Sequence, residues 1–181
     1  MHHNTLPFAR GTFWSDGLVT LTDTMAEYLL GRVYRVNDTV HDTGNPVWLR
    51  IVRNDSDGSL TTAYRPVAWA TAALDIGRAI SGFADDQGER CKMMDDAYVV
   101  GSTWLNNDLG YVVESGPCYG TVESTTAALA QFDPVCTDAT GYIDGTTATT
   151  GDYVIGVLDA ACTTTSEAVV IHCHEGLLTV L

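Results

Sequence analysis

Apolar residues recur along this chain in short runs separated by glycine, aspartate, threonine and proline. The stretch from Phe132 to Leu181 shows the pattern most plainly. Phe132-Asp133-Pro134-Val135, Gly141-Tyr142-Ile143, Gly151-Asp152-Tyr153-Val154-Ile155-Gly156-Val157 and Ala168-Val169-Val170-Ile171-His172 are each of strand length and too short for a stable helix. Upstream, Arg32-Val33-Tyr34-Arg35-Val36 alternates as a half-buried strand does. Val47-Trp48-Leu49-Arg50-Ile51-Val52-Arg53 is a second strand, closed by the turn Asn54-Asp55-Ser56-Asp57-Gly58, where Gly58 is expected to take the positive φ. Tyr111-Val112-Val113-Glu114 follows a turn at Asn106-Asn107-Asp108. Gly116-Pro117-Cys118-Tyr119-Gly120 reads as a break, with extended structure resuming at Thr121-Val122-Glu123.

Other segments are less regular. Ala79-Ile80-Ser81 and Cys91-Lys92-Met93-Met94 flank the turn residues Asp85-Asp86-Gln87-Gly88, so the spacing predicts a hairpin. Val67 to Ile80 is expected to be irregular with one helical turn, because its alanines favour helix while Gly77 and Gly82 oppose it. Thr24 to Gly31 predicts a short helix, with Thr24 as N-cap, Glu27 completing a capping box and Gly31 as the stop. No solenoid or propeller period is visible. The predicted architecture is therefore mainly β. A small β-barrel or sandwich-like body over residues 25–181, with one or two short helices and closing strands at about 132–181, follows an extended arm over residues 1–24.

The arm differs in texture from the body. Leu6-Pro7-Phe8-Ala9-Arg10-Gly11-Thr12-Phe13-Trp14 mixes aromatics with proline and glycine and has no period. Aromatics on such a segment make sense when it lies in a groove on another surface, so Leu6, Phe8, Arg10, Phe13 and Trp14 are the candidate partner-binding residues.

Composition narrows the partners. The 181 residues suit one domain with an arm, and an apolar fraction of 45% supplies a core. Nine basic against 23 acidic residues give a net charge of −14. That balance opposes binding to nucleic acid and to anionic lipid and favours a soluble surface. No apolar run is long enough to span a membrane, and the first residues lack a basic start and apolar core, so no export is expected. The five cysteines, with no C-x-x-C among them, are expected to be unpaired thiols, with Cys162–Cys173 as the alternative pairing.

Candidate chemistry is sparse. His172-Cys173-His174-Glu175 has metal-ligand residue types, but on a strand the histidines share one face and Cys173 points to the other. His172 and His174 are therefore expected at the surface or an interface, with Val169, Ile171 and Cys173 inward. Asp55-Ser56-Asp57-Gly58 begins like a calcium loop and lacks its later ligands, so it reads as a polar turn. Asp85-Asp86 and Asp95-Asp96 are adjacent acids that point apart on a strand. Cys91 or Cys118 with His41 is a nucleophile–base pairing the residue types offer, and spacing gives it no support. No nucleophile elbow, dinucleotide fingerprint or phosphate loop is present. The expectation is a protein without catalysis, metal or cofactor. A lectin-like module using Trp14, Trp48, Trp69 and Trp104 as sugar platforms is the alternative from another class.

The body resembles the tailed-phage virion proteins that decorate or cement the capsid. The resemblance lies in Gly31-Arg32-Val33-Tyr34, in Val47 to Asp55, in Asn107-Asp108-Leu109-Gly110-Tyr111-Val112-Val113-Glu114-Ser115-Gly116-Pro117-Cys118, and in the order Phe-Asp-Pro-Val, Gly-Tyr-Ile, Tyr-Val-Ile-Gly-Val-Leu, Val-Val-Ile of the C-terminal run. It covers most of the chain after about Met25 and none of the arm. It implies a non-enzymatic structural protein, made in the host cytoplasm, that binds the major capsid protein on the outside of the virion as a homotrimer and reinforces the shell. Another virion component, such as a head–tail connector, a tail-tube protein or a head-fibre base, is the neighbouring alternative.

Overall fold

The computed structural model describes residues 28–41, 43–61, 64–71, 77–86, 89–95, 103–123, 128–144, 153–162 and 167–177. Among the described residues, twelve strands account for almost all of the regular structure: β1 (Val33–Asn37), β2 (Pro46–Asn54), β3 (Leu60–Thr61), β4 (Arg65–Trp69), β5 (Ala79–Phe83), β6 (Cys91–Met94), β7 (Thr103–Trp104), β8 (Leu109–Val122), β9 (Pro134–Thr137), β10 (Ile143–Asp144), β11 (Tyr153–Leu158) and β12 (Glu167–Leu177). The expectation of a mainly β body holds. The arm over residues 1–24 and the start of the short helix lie outside the described residues. The chain enters with a helical turn at Tyr28 and Leu29 that stops at Gly31 with φ 79°, as expected.

Pairing closes the sheet twice. β2, β5, β4, β6 and β8 form one ring, through β2–β5, β5–β4, β4–β6, β6–β8 and β8–β2; β8, β10, β9, β11 and β12 form a second. β8 belongs to both: Leu109–Ser115 pairs with β2, and Gly116–Val122 pairs with β12. Closure removes most free sheet edges. β1 adds a flanking strand antiparallel to β2.

The two rings have the same topology and the same register. In each, the first strand is parallel to the third (Asn54↔Ile80; Val122↔Ile143) and antiparallel to the fifth (Val52↔Gly110; Gly120↔Val169). The second strand pairs with both third and fourth (Trp69↔Ile80 and Pro66↔Met93; Thr137↔Ile143 and Pro134↔Val157). Followed around both rings, these pairs carry Val52, Val67, Ile80, Met94 and Val112 onto Gly120, Val135, Ile143, Leu158 and Ile171. The first five, one from each strand, fill ring 1 and are almost fully buried. Val135, Ile143, Leu158 and Ile171 are buried in ring 2, with Ile143 and Ile171 against the face of Gly120. The lids match too. A two-stranded ribbon, Leu60–Thr61 with Thr103–Trp104, covers ring 1, and the bridge Leu129↔Cys162 takes its place on ring 2. The chain is a structural tandem repeat that shares its middle strand.

One local signature accompanies the repeat. Tyr64-Arg65-Pro66-Val67 enters β4 and Phe132-Asp133-Pro134-Val135 enters β9, and both aromatics hold left-handed backbone, φ 41° and 71°. Proline two residues later suits the start of a strand, where no ladder donor is required.

Several expectations are corrected. Val67-Ala68-Trp69 is strand, while residues 72–76 of the expected helical turn lie outside the described residues. β5 and β6 do not form a hairpin, because β4 lies between them. The positive φ in the turn after β2 belongs to Asp57, not to Gly58. Residues 116–120 are no break: β8 runs through them, and Gly116 with φ 103° bends it where its partner changes.

Candidate functional site

The residues that bear on function separate into three groups, two of them singled out by the sequence. Leu6, Phe8, Arg10, Phe13 and Trp14 lie outside the described residues. His172 and His174 lie on β12 with alternating burial: Ile171 and Cys173 are inward, His172 is half-buried and His174 is exposed. His172 Nε2 is 2.8 Å from Asp159 Oδ1. Behind it, Gly156 on β11 is seated against the His172 carbonyl, so a side chain there has no room. Among the described residues no group of His, Cys, Asp and Glu is arranged to hold a metal ion. The His172–Asp159 pair is partly solvated, so Asp159→Asn is expected to shift unfolding free energy by less than about 1 kcal/mol in urea titrations.

The third group is a buried ionic cluster that sequence reasoning missed. Asp38 follows β1, His41 lies in the turn between β1 and β2, and Asp95 follows β6. His41 Nδ1 is 2.9 Å from Asp38 Oδ1 and His41 Nε2 is 2.8 Å from Asp95 Oδ2, with all three side chains inaccessible to solvent. Ionised carboxylates only accept, so both ring nitrogens donate and the ring is an imidazolium. Asp38 also accepts from the backbone N–H groups of Val40, His41 and Thr43 and from the Thr43 hydroxyl. Asp95 accepts from the Tyr119 backbone N–H at 2.7 Å, and the Tyr119 ring packs between those of His41 and Tyr64.

Electrostatics follow from this geometry. Burial pulls the His41 pKa down, but the hydrogen bonds and charges of Asp95 and Asp38 outweigh it and hold the pKa above the usual 6.5. Burial alone would raise the Asp38 pKa, and the donors from His41, Val40 and Thr43 drive it well below the carboxylate range instead. The cluster ties the β1–β2 turn to the junction of the two rings.

A second polar clasp crosses ring 1. Arg50 on β2 donates to both Glu114 oxygens on β8 from Nε and Nη2 at 2.6 and 2.8 Å, and Lys92 Nζ on β6 lies 3.5 Å from the same carboxylate. Burial would raise the Glu114 pKa, yet Arg50 and Lys92 hold it below its usual value. These partners sit on three neighbouring strands, a relation that only pairing reveals.

The arrangement counts against the nucleophile–base pairings the residue types offered. Both His41 nitrogens engage carboxylates. Burial holds the Cys91 thiol far above its ordinary pKa, and burial with the neighbouring Cys173 does the same for Cys118. Cys162 lies in the ring 2 lid opposite Leu129, while the neighbour of Cys173 is Cys118; the alternative pairing Cys162–Cys173 is not formed.

No protein-family model matches this sequence, and neither does any curated protein. Trp104 is a core residue whose Nε1 donates to the Asp108 carbonyl inside the ring 1 lid, so it offers no face to a sugar, while Trp69, largely buried, lines an open cavity with Ala70, Thr71, Glu89 and Arg90. Exposed large apolar side chains among the described residues are Tyr28, Val40, Leu105 and Phe132. Tyr28 is covered on one face by the Arg32 guanidinium, 3.6 Å from the ring centroid. Phe132 is 67% exposed. Its counterpart in ring 1, Tyr64, packs on Tyr119, and the Tyr64 carbonyl accepts from the Thr121 N–H at 2.9 Å. The same corner of the repeated unit is thus covered in ring 1 and open in ring 2. Among the described residues no helix is long and apolar enough to cross a membrane.

Proposed function

We propose that this protein is a non-enzymatic virion component that attaches to the outside of a phage capsid and reinforces the shell. The observation that carries the reading is the corner at Phe132. A phenylalanine in left-handed backbone costs on the order of 1 kcal/mol relative to glycine, and its exposed ring gains nothing from the core. A rigid closed-ring scaffold holding an aromatic outward in this way suits contact with another protein surface. The intramolecular precedent says what such a contact looks like: Tyr119 and Thr121 of β8 pack on Tyr64 at the equivalent corner. The resemblance to decoration proteins supplies the identity of the surface, the major capsid protein, and of the self-association, a homotrimer. The net charge of −14 supports a layer that does not capture DNA.

Immuno-electron microscopy of particles from a lysate containing the chain tests the location, and quantitative mass spectrometry tests the copy number. Abundance comparable to the shell protein is expected; a single ring of copies at one vertex would assign the chain to a connector or tail instead. Phe132→Asn, which suits left-handed backbone, is expected to leave unfolding free energy within about 1 kcal/mol of the parent. It should reduce co-sedimentation with capsids. Full attachment by that variant would remove Phe132 from the contact.

A further inference from the structure

The tandem repeat sets two seams in equivalent positions. In ring 1, Arg50 faces Val112 across the first and last strands, and its guanidinium reaches diagonally to Glu114. In ring 2, Cys118 faces Ile171, and its thiol reaches diagonally to Cys173. The register that maps one ring on the other places Cys118 on Arg50 and Cys173 on Glu114. Where ring 1 has a bidentate ion pair, ring 2 has two thiols with Sγ atoms 2.8 Å apart. Both side chains are buried, so nothing else competes for either sulfur from solvent. A disulfide needs sulfur atoms about 2.05 Å apart, and these two thiols are close enough that a small side-chain adjustment brings them to that distance.

We propose that Cys118 and Cys173 form an oxidisable dithiol, a modification site that closes into a cross-strand disulfide and fastens β12 to β8. The bond would do for ring 2 what the Arg50–Glu114 pair does for ring 1. The remaining thiols are placed elsewhere: Cys162 is in the lid, and Cys136 Sγ donates to the Asp144 carbonyl. Cys91 lines the same small cavity as Cys173 and is the competing partner.

The co-reactant is a small-molecule disulfide such as oxidised glutathione. One protein thiolate attacks it, forming a mixed disulfide and releasing one glutathione thiol. The second protein thiolate then displaces the other glutathione. Two protein S–H bonds and the glutathione S–S bond are broken, and one protein S–S bond and two glutathione S–H bonds form. Burial keeps the native thiols protonated, so exchange is slow in the folded protein and fast while the β8–β12 seam is open during refolding.

The test refolds the full chain in oxidised glutathione and, in parallel, in a phosphine reductant. Each sample is then denatured without reductant, alkylated, weighed intact and peptide-mapped. Three alkylated cysteines and a Cys118–Cys173 linked peptide are expected after oxidation, against five alkylated cysteines in the reduced sample. The melting temperature of the oxidised protein should exceed that of the reduced one by roughly 5–15 °C, an increment absent from Cys118→Ser and Cys173→Ser. If a serine variant fails to fold, the thiol count and linkage map of the parent chain decide alone. Five free thiols after oxidative refolding, a Cys91–Cys173 linkage, or glutathione adducts that persist without an internal bond would each overturn the proposal. It does not depend on the proposed capsid role.

Discussion

Asp95→Ala is expected to destabilise the protein by about 3–5 kcal/mol, a large share of the roughly 5–15 kcal/mol that holds a domain of this kind folded. The substitution removes one of two carboxylates from an inaccessible imidazolium and strips the Tyr119 N–H of its acceptor at the point where β8 passes between rings. Chemical denaturation at pH 6 measures the effect, and a loss below about 1 kcal/mol would show that the cluster is not ionised as described. The pH profile gives an independent check. The folded pKa of His41 is raised, so its contribution is complete below the unfolded value near 6.5 and is lost as pH rises through the folded value. The folded pKa of Asp38 is depressed, so its contribution is present above the ordinary carboxylate value and is lost as pH falls through the folded one. Stability should therefore be greatest between about pH 4 and pH 6.5 and decline on the alkaline side. In Asp95→Ala the alkaline decline should flatten, because Asp95 is the stronger of the two influences raising the His41 pKa.

Gly116→Val should cost about 3 kcal/mol or more, measured as a fall in unfolding free energy, and should broaden or split the thermal transition. The residue stands at φ 103°, and a Cβ there would lie 2.5 Å from the Pro46 carbonyl oxygen and 3.0 Å from Val47 Cα. Both obstacles are backbone of β2, which ring 1 holds in place. A branched side chain must therefore move β8 at the hinge between the rings. Gly44→Ala separates conformation from contact. Gly44 also has positive φ, 69°, but open space around it, so its replacement should cost only about 1 kcal/mol. Equal losses at the two sites would mean that the approach of β2 to Gly116 is unimportant.

Strands whose side chains alternate, or whose apolar run is bounded by turn residues, were legible along the chain. β1, β2, β11 and β12 fall where periodicity placed them, and His172, Cys173 and His174 alternate in burial as strand geometry requires. Legibility failed wherever a local signal was reinterpreted by a distant segment. Gly116-Pro117 has the composition of a break, yet the ring 2 partner β12 continues the ladder across it. β5 and β6 flank turn residues as a hairpin would, yet β4 inserts between them. His41 and Asp95 are 54 residues apart, and nothing near either announces the other. The arm, in which sequence reasoning placed the binding residues, is not among the described segments, and Phe132, exposed like Tyr28, lies in a run whose pattern marks only the start of a strand.

By itself the sequence determined the β character of the chain, its acidic surface and the inward or outward sense of residues along individual strands. These depend on the period-two geometry of a strand and on composition, which are local quantities. Tertiary structure alone decided that the body is two equivalent rings sharing β8. Equivalence resides in pairing registers, while the positions that fill the rings need only be apolar and of suitable volume. Val52 and Gly120 can occupy the same station because Ile143 and Ile171 fill the space that a side chain leaves. Such exchange removes the repeat from the residue string, apart from the aromatic–charged–Pro–Val entry at Tyr64 and Phe132. The same exchange put an ion pair at one seam and two thiols at the other.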